Sequence, residues 1–133
     1  MKIYIGHSND WDYEKELYEP ILESKLAKEH EIIFPHLDNN NFNSEEIIRN
    51  SNLFIAEVSM PSLGLGIEIG RAEMIEKKIL CIYKEGYKCS RSLEHVKVDV
   101  VRYSDKVNMI NKIEQYINKI EEKKWMLLNE LII

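Results

Sequence analysis

The chain has 133 residues, 44% of them apolar, and 18 basic against 23 acidic side chains leave a formal net charge of −5. That length and composition fit one domain over residues 1–133 with a single adequate core, and the acidic balance lacks the clustered cations with which proteins grip a nucleic-acid polymer. The N-terminal apolar run is too short for a signal peptide and no stretch approaches the ~20 apolar residues of a membrane span, so a soluble, cytoplasmic protein able to hold a small anionic ligand is expected.

Lys2 to Ile5 is a run of strand formers ended by Gly6 and the polar cluster His7-Ser8-Asn9-Asp10, which reads as the first strand and its exit loop. From Asp12 to about Glu29, Tyr13, Leu17, Ile21, Leu22 and Leu26 recur at helical spacing. Pro20 falls inside this helix and predicts a kink or two abutting pieces. Glu31 to Phe34 is a second strand, and His36 to Asn43 is an Asn-rich connection of the kind that borders sites. Ser44, followed by Glu45 and Glu46, reads as a helix N-cap with acids in the first turn, opening a short helix to about Asn50.

Leu53 to Val58 is apolar enough to be a central strand, and Gly66 to about Lys77 is the next helix. Ile79 to Lys84 is the fourth strand, where Cys81 reads as a small buried hydrophobe. Cys89 falls in the loop from Glu85 to Ser92, and the two cysteines are too few for a disulfide framework or a zinc site. Neither do His7, His30, His36 and His95 show metal-ligand spacing. Val96 to Val101 alternates like an edge strand, and Val107, Ile110, Ile113, Ile117 and Ile120 form one stripe of a last helix beginning near Ser104. Trp125 to Leu128 and Leu131 to Ile133 add apolar surface that either packs back or meets another subunit.

Strands alternating with helices at this spacing predict a doubly wound α/β domain, a five-stranded, mainly parallel sheet covered on both faces. Ligands then lie beyond the carboxyl ends of the strands, which gathers the loops after strands one, three and four. The stretch from Ser59 to Arg71 carries three readings. As a dinucleotide fingerprint it offers Gly64, Gly66 and Gly70, with Glu85 as a ribose-binding acid. That fit is poor, because several residues including Pro61 separate the strand from the first glycine. As plain structure, the glycines serve a turn capped by Ser62, and Glu68 pairs with Arg71 at i,i+3. As chemistry, Glu68 is a carboxylate nucleophile in a partly apolar recess, close to backbone that glycines leave open to a sugar ring.

The run from Ala56 to Ala72, with Pro61-Ser62-Leu63-Gly64-Leu65-Gly66-Ile67-Glu68-Ile69-Gly70-Arg71 at its centre, resembles the signature of the 2'-deoxynucleoside 5'-phosphate N-hydrolases of the nucleoside 2-deoxyribosyltransferase superfamily. The likeness runs on through Ile79 to Ile82 and spans about the first 100 residues. It implies a flavodoxin-like three-layer sandwich, a homodimer, no metal or redox cofactor, and cleavage of an N-glycosidic bond through Glu68. It also implies that Ser62 contacts a 5'-phosphate and that Ser92, with Ser90 as fallback, contacts the phosphate bound by the partner subunit. Gly6, His7 and Ser8, together with Gly64, Gly66 and Arg71, complete the implied substrate-binding set.

Two positions depart from the family. The first loop, Gly6 to Trp11, carries an acid, Asp10, and no arginine where the family wraps a phosphate, and Ser44 stands where the family has an acid/base aspartate, leaving Glu45 as the nearest replacement. Tyr13 matches a tyrosine that orients the nucleophile, with core packing as the competing role. The expected function is hydrolysis of, or deoxyribosyl transfer from, a 2'-deoxynucleoside or its 5'-monophosphate. The alternative is a nucleotide-binding module that keeps the pocket and has lost catalysis.

Overall fold

The computed structural model describes residues 1–37 and 43–132. Five strands, β1 (Lys2–His7), β2 (Glu31–Ile33), β3 (Leu53–Glu57), β4 (Ile79–Lys84) and β5 (Asp99–Tyr103), pair in the order β2-β1-β3-β4-β5. Every pairing is parallel. The sheet order reverses between β1 and β3, whose last residues, His7 and Glu57, are register partners. This is the switch point at which α/β sheets open a crevice.

Because side chains alternate along a strand, each central strand feeds two cores. Ile3, Ile5, Leu53, Ile55, Leu80 and Ile82 pack on one face with Leu17, Tyr18 and Ile21 and with Met109, Ile113 and Ile117. Tyr4, Phe54, Ala56, Ile79 and Cys81 pack on the other with Ile48, Leu65, Ile69 and Ala72. Cys81 is buried, as its apolar surroundings predict, and Cys89 is a free thiol outside the core.

The segment around Pro20 is a π-helical turn (Glu14–Tyr18) running into α1 (Glu19–Glu23), followed by α2 (Leu26–Glu29). Pro20 lies in the first turn of α1, where its missing N–H is no loss. The chain breaks four residues later, at extended Ser24. There the Ser24 hydroxyl donates to the Ile21 carbonyl at 2.7 Å and accepts from the Leu26 N–H at 3.2 Å, offering the backbone a partner outside the helix.

Three other expectations shift. Helix α3 (Ser44–Arg49) is capped by the side chain of Asn43, not Ser44. Helix α4 (Leu63–Met74) starts three residues before the expected Gly66, because Ser62 is its cap and Leu65 anchors its first turn in the core. β5 begins at Asp99 rather than Val96, since a short 3-10 turn (Arg91–His95) precedes it and pairing with β4 starts at Leu80 and Asp99.

Helix α5 (Lys106–Ile132) buries Met109, Ile113 and Ile117, while Ile110 and Ile120 pack at the margin and Val107 faces solvent at 72% exposure. Beyond them it runs on with Trp125, Met126, Leu127, Leu128, Leu131 and Ile132 exposed, so the tail does not pack back on its own chain. No helix is long and apolar enough to cross a membrane among the described residues.

Candidate active site

Ser62 accepts the Leu65 N–H at 3.3 Å and opens α4 directly after the loop from β3. One and a half turns later Glu68 projects back toward the sheet, where its Oε2 accepts a hydrogen bond of 2.7 Å from the Tyr4 hydroxyl. Tyr4 stands on the β1 face that α4 covers and is 1% exposed. Burial, then the charge of Glu68, pushes the Tyr4 hydroxyl well above the usual tyrosine range, so it remains a donor. Half-buried Glu68 is thereby held by one neutral donor and makes no ion pair with Arg71 among the described residues.

Glu68 borders a cavity of about 320 Å³ between α3 and α4, lined also by Ser44, Glu45, Ile48, Ile67 and Arg71. The structure thus brings Glu68, Glu45 and Arg71 to one groove with an apolar wall. Glu45 is half engaged, in an exposed pair with Arg49 at 3.6 Å that is worth only a few tenths of a kcal/mol. Gly64, Gly66 and Gly70 all lie within α4, and a Cβ at any of them would meet open space. Each raises the free energy of the helix by about 1 kcal/mol relative to alanine, so packing within the chain gives no reason for glycine there. The dinucleotide reading fails on the same geometry: Gly64 is a helical residue and not the tight turn after β3.

The first loop is built differently from the substrate-facing loop expected of it. A Cβ at Gly6 would come within 2.8 Å of the Phe54 ring and 3.0 Å of Leu65, so this glycine is needed for α4 to sit on β1. Ser8 is 1% exposed. Its carbonyl accepts from Trp11 Nε1 at 2.8 Å, and its hydroxyl accepts from the Asp10 N–H at 3.2 Å, so it organises the turn. His7 is 7% exposed. Its Nδ1–H donates to the Ser8 carbonyl and its Nε2 accepts from the Tyr18 hydroxyl, which fixes the neutral tautomer because a carbonyl can only accept. Burial lowers the His7 pKa to about 4 against the opposing Ser8 hydrogen bond, with His36 lowering it further.

Tyr13 stacks on His7 with ring centroids 4.2 Å apart and meets Tyr18 and His36 edge-on or tilted. The tyrosine on Glu68 is therefore Tyr4, not Tyr13, which belongs to the aromatic cluster. Ser92 is exposed on the 3-10 turn, its N–H bonded to Ser90 Oγ at 3.2 Å, and does not line the α3–α4 groove of its own chain.

Tyr4 and Glu57 are absent from the sequence-derived site. Strand alternation is the signal for both: it sets Tyr4 beneath α4, and it sets Glu57 on the opposite, buried face, where a carboxylate must find donors. Glu57 accepts from Ser59 N–H at 2.6 Å, Ser59 Oγ at 3.0 Å and the Tyr103 hydroxyl. Burial raises its pKa and these hydrogen bonds oppose the rise. It lines a second cleft of about 290 Å³, with Trp11, Lys84 and Tyr103, that holds none of the expected site residues.

Known proteins can be compared with this geometry. A 5-hydroxymethyl-dUMP N-hydrolase of Tetraodon nigroviridis is 49% identical over 37 residues, 28% of this chain and 26% of that protein. The human 5-hydroxymethyl-dUMP N-hydrolase is 44% identical over 39 residues, 29% of this chain and 22% of that protein. The matches thus span about a quarter of these relatives' length. Among solved structures, the Clostridium botulinum CMP N-glycosidase BcmB superposes with a TM-score of 0.64 at 25% identity, over 86% of this chain and 99% of that one. The chain resembles the 2'-deoxynucleoside 5'-phosphate N-hydrolases. The fold it shares with the CMP N-glycosidase is the α/β sandwich expected from the strand and helix pattern. No family profile matches the chain.

Proposed function

We propose that the chain is an N-glycosidase that cleaves the bond between base and sugar in 2'-deoxynucleosides or their 5'-monophosphates. The observation that carries this reading is the Glu68 carboxylate, held by Tyr4 at the edge of a 320 Å³ cavity. The open glycines of α4 and the named activities of the similar proteins support it.

In this mechanism a Glu68 oxygen attacks C1' as the C1'–N bond breaks and its electron pair leaves with the base. Glu45 leaves Arg49, takes a proton from solvent and gives it to the departing nitrogen. Water then attacks C1', Glu45 takes a proton from it and returns it to solvent, and the C1'–O bond to Glu68 breaks, returning both carboxyl groups to their starting states. Neutral Tyr4 donates to Glu68 in the free enzyme and keeps it aimed. Transfer replaces water by a second base.

Ser62 and the N-terminal amides of α4 receive the 5'-phosphate, and a second copy brings its Ser92 to the same phosphate. The exposed α5 tail and Leu63, 85% exposed at the start of α4, give such a dimer apolar surface. Incubation with the four 2'-deoxynucleosides and their 5'-monophosphates, followed by chromatography, should show free base from the wild type and a loss of 10³-fold or more in Glu68→Gln. Base release unchanged in Glu68→Gln would overturn the mechanism. Binding without base release in the wild type would establish the binding-module alternative, which Ser44 at the family's aspartate position favours.

A further inference from the structure

Glu57 closes the central strand β3 at 1% exposure, on the face opposite Glu68. A carboxylate this deep is tolerated only where donors replace water. The donors are Ser59 N–H on Oε1 at 2.6 Å, and Ser59 Oγ at 3.0 Å and the Tyr103 hydroxyl on Oε2. All three are groups able to donate, so both carboxyl oxygens find partners within the fold.

Two of those donors belong to one residue of the loop between β3 and α4. Ser59 is itself buried, and its Oγ accepts in turn from the Lys84 N–H at 2.8 Å. The carboxylate therefore ties the first turn of the loop to the ends of β4 and β5 together. Only Met60 and Pro61 separate Ser59 from Ser62, the cap of α4, and Pro61 has one φ well. A displacement at Ser59 is passed to the start of α4 with little chain to absorb it.

We propose that Glu57, held by Tyr103, is a positioning residue for Glu68: it sets where α4 begins and so where the Glu68 carboxylate meets Tyr4 and the α3–α4 cavity. The inference rests on the glycosidase reading for its catalytic consequence and on the hydrogen bonds alone for its structural one. It also accounts for an acid in a strand that is otherwise apolar, Leu53-Phe54-Ile55-Ala56, where a leucine would fill the core without a network to satisfy.

The test measures Glu57→Gln and Tyr103→Phe by amide hydrogen exchange and by steady-state base release from 2'-deoxynucleoside 5'-monophosphates. Exchange across 59–66 should quicken tenfold or more while β4 and α5 keep their protection. The kcat should fall about tenfold or more with KM within about threefold, as expected when a reacting group is displaced by a fraction of an ångström. Tyr103→Phe keeps the ring in the core and carries the test if Glu57→Gln does not fold. Unchanged exchange across 59–66, or quickened exchange with wild-type kcat, overturns the proposal. A wild type that releases no base overturns the glycosidase reading instead, and the exchange measurement still decides whether Glu57 holds the loop.

Discussion

Tyr4 and Glu68 lie 64 residues apart, and the hydrogen bond between them is what turns a glutamate on an ordinary helix into an aimed carboxylate. Tyr4→Phe keeps the ring against Phe54, with which it packs at 5.2 Å between centroids, and removes the donor alone. We expect kcat to fall about 10- to 100-fold with KM little changed, and stability to drop by about 1 kcal/mol, read by urea denaturation. His7 gives a pH signature at the same scale. Its pKa is about 4 in the folded chain against 6.5 unfolded, so between those values the unfolded state binds more protons. Stability must fall as pH is lowered through that window, by ~3 kcal/mol over its full width. Denaturation at pH 7.5 and pH 4.5 should show the wild type losing about 2 kcal/mol more than His7→Phe, whose ring cannot titrate. Neither residue's role is visible from local pattern: the family resemblance offers Tyr13 as the orienting tyrosine while its helical spacing gives it to the core, whereas Tyr4 acquires its partner only when α4 crosses β1.

At the scale of elements, the alternating apolar runs made the strands legible, and Ile79–Lys84 has the bounds read from them. The start of α4 was less so. Glycines at 64 and 66 read as loop, yet the Ser62 cap and the burial of Leu65, Ile69 and Ala72 override their low helix propensity. This makes a clean experiment. Gly66→Ala adds a methyl group to open space, so it should stabilise the chain by up to about 1 kcal/mol while lowering kcat/KM tenfold or more if substrate lies against that backbone. A stabilised variant with full activity would return the glycines to the plain structural reading.

For the whole molecule, the doubly wound sheet followed from the order of strands and helices, while the course of α5 past Ile120 did not. Its stripe from Ile110 to Ile120 meets the core, but Trp125 to Ile132 reads as equally apolar and stays exposed, because the sheet ends before the helix does. A chain ending at Lys124 should unfold within about 1 kcal/mol of the full chain at high dilution, since no core contact is removed. If the tail joins two copies, the full chain alone will show a midpoint that rises with protein concentration.

Glu68 is the point on which cavity, helix and tyrosine converge, and one measurement reaches it directly: mass spectrometry of the chain quenched during turnover of a 2'-deoxynucleoside 5'-monophosphate. A deoxyribosyl phosphate adduct on the peptide carrying Glu68, absent in Glu68→Gln, is the predicted result. Steady base release with no adduct, and with Glu68→Gln as active as the wild type, would contradict it.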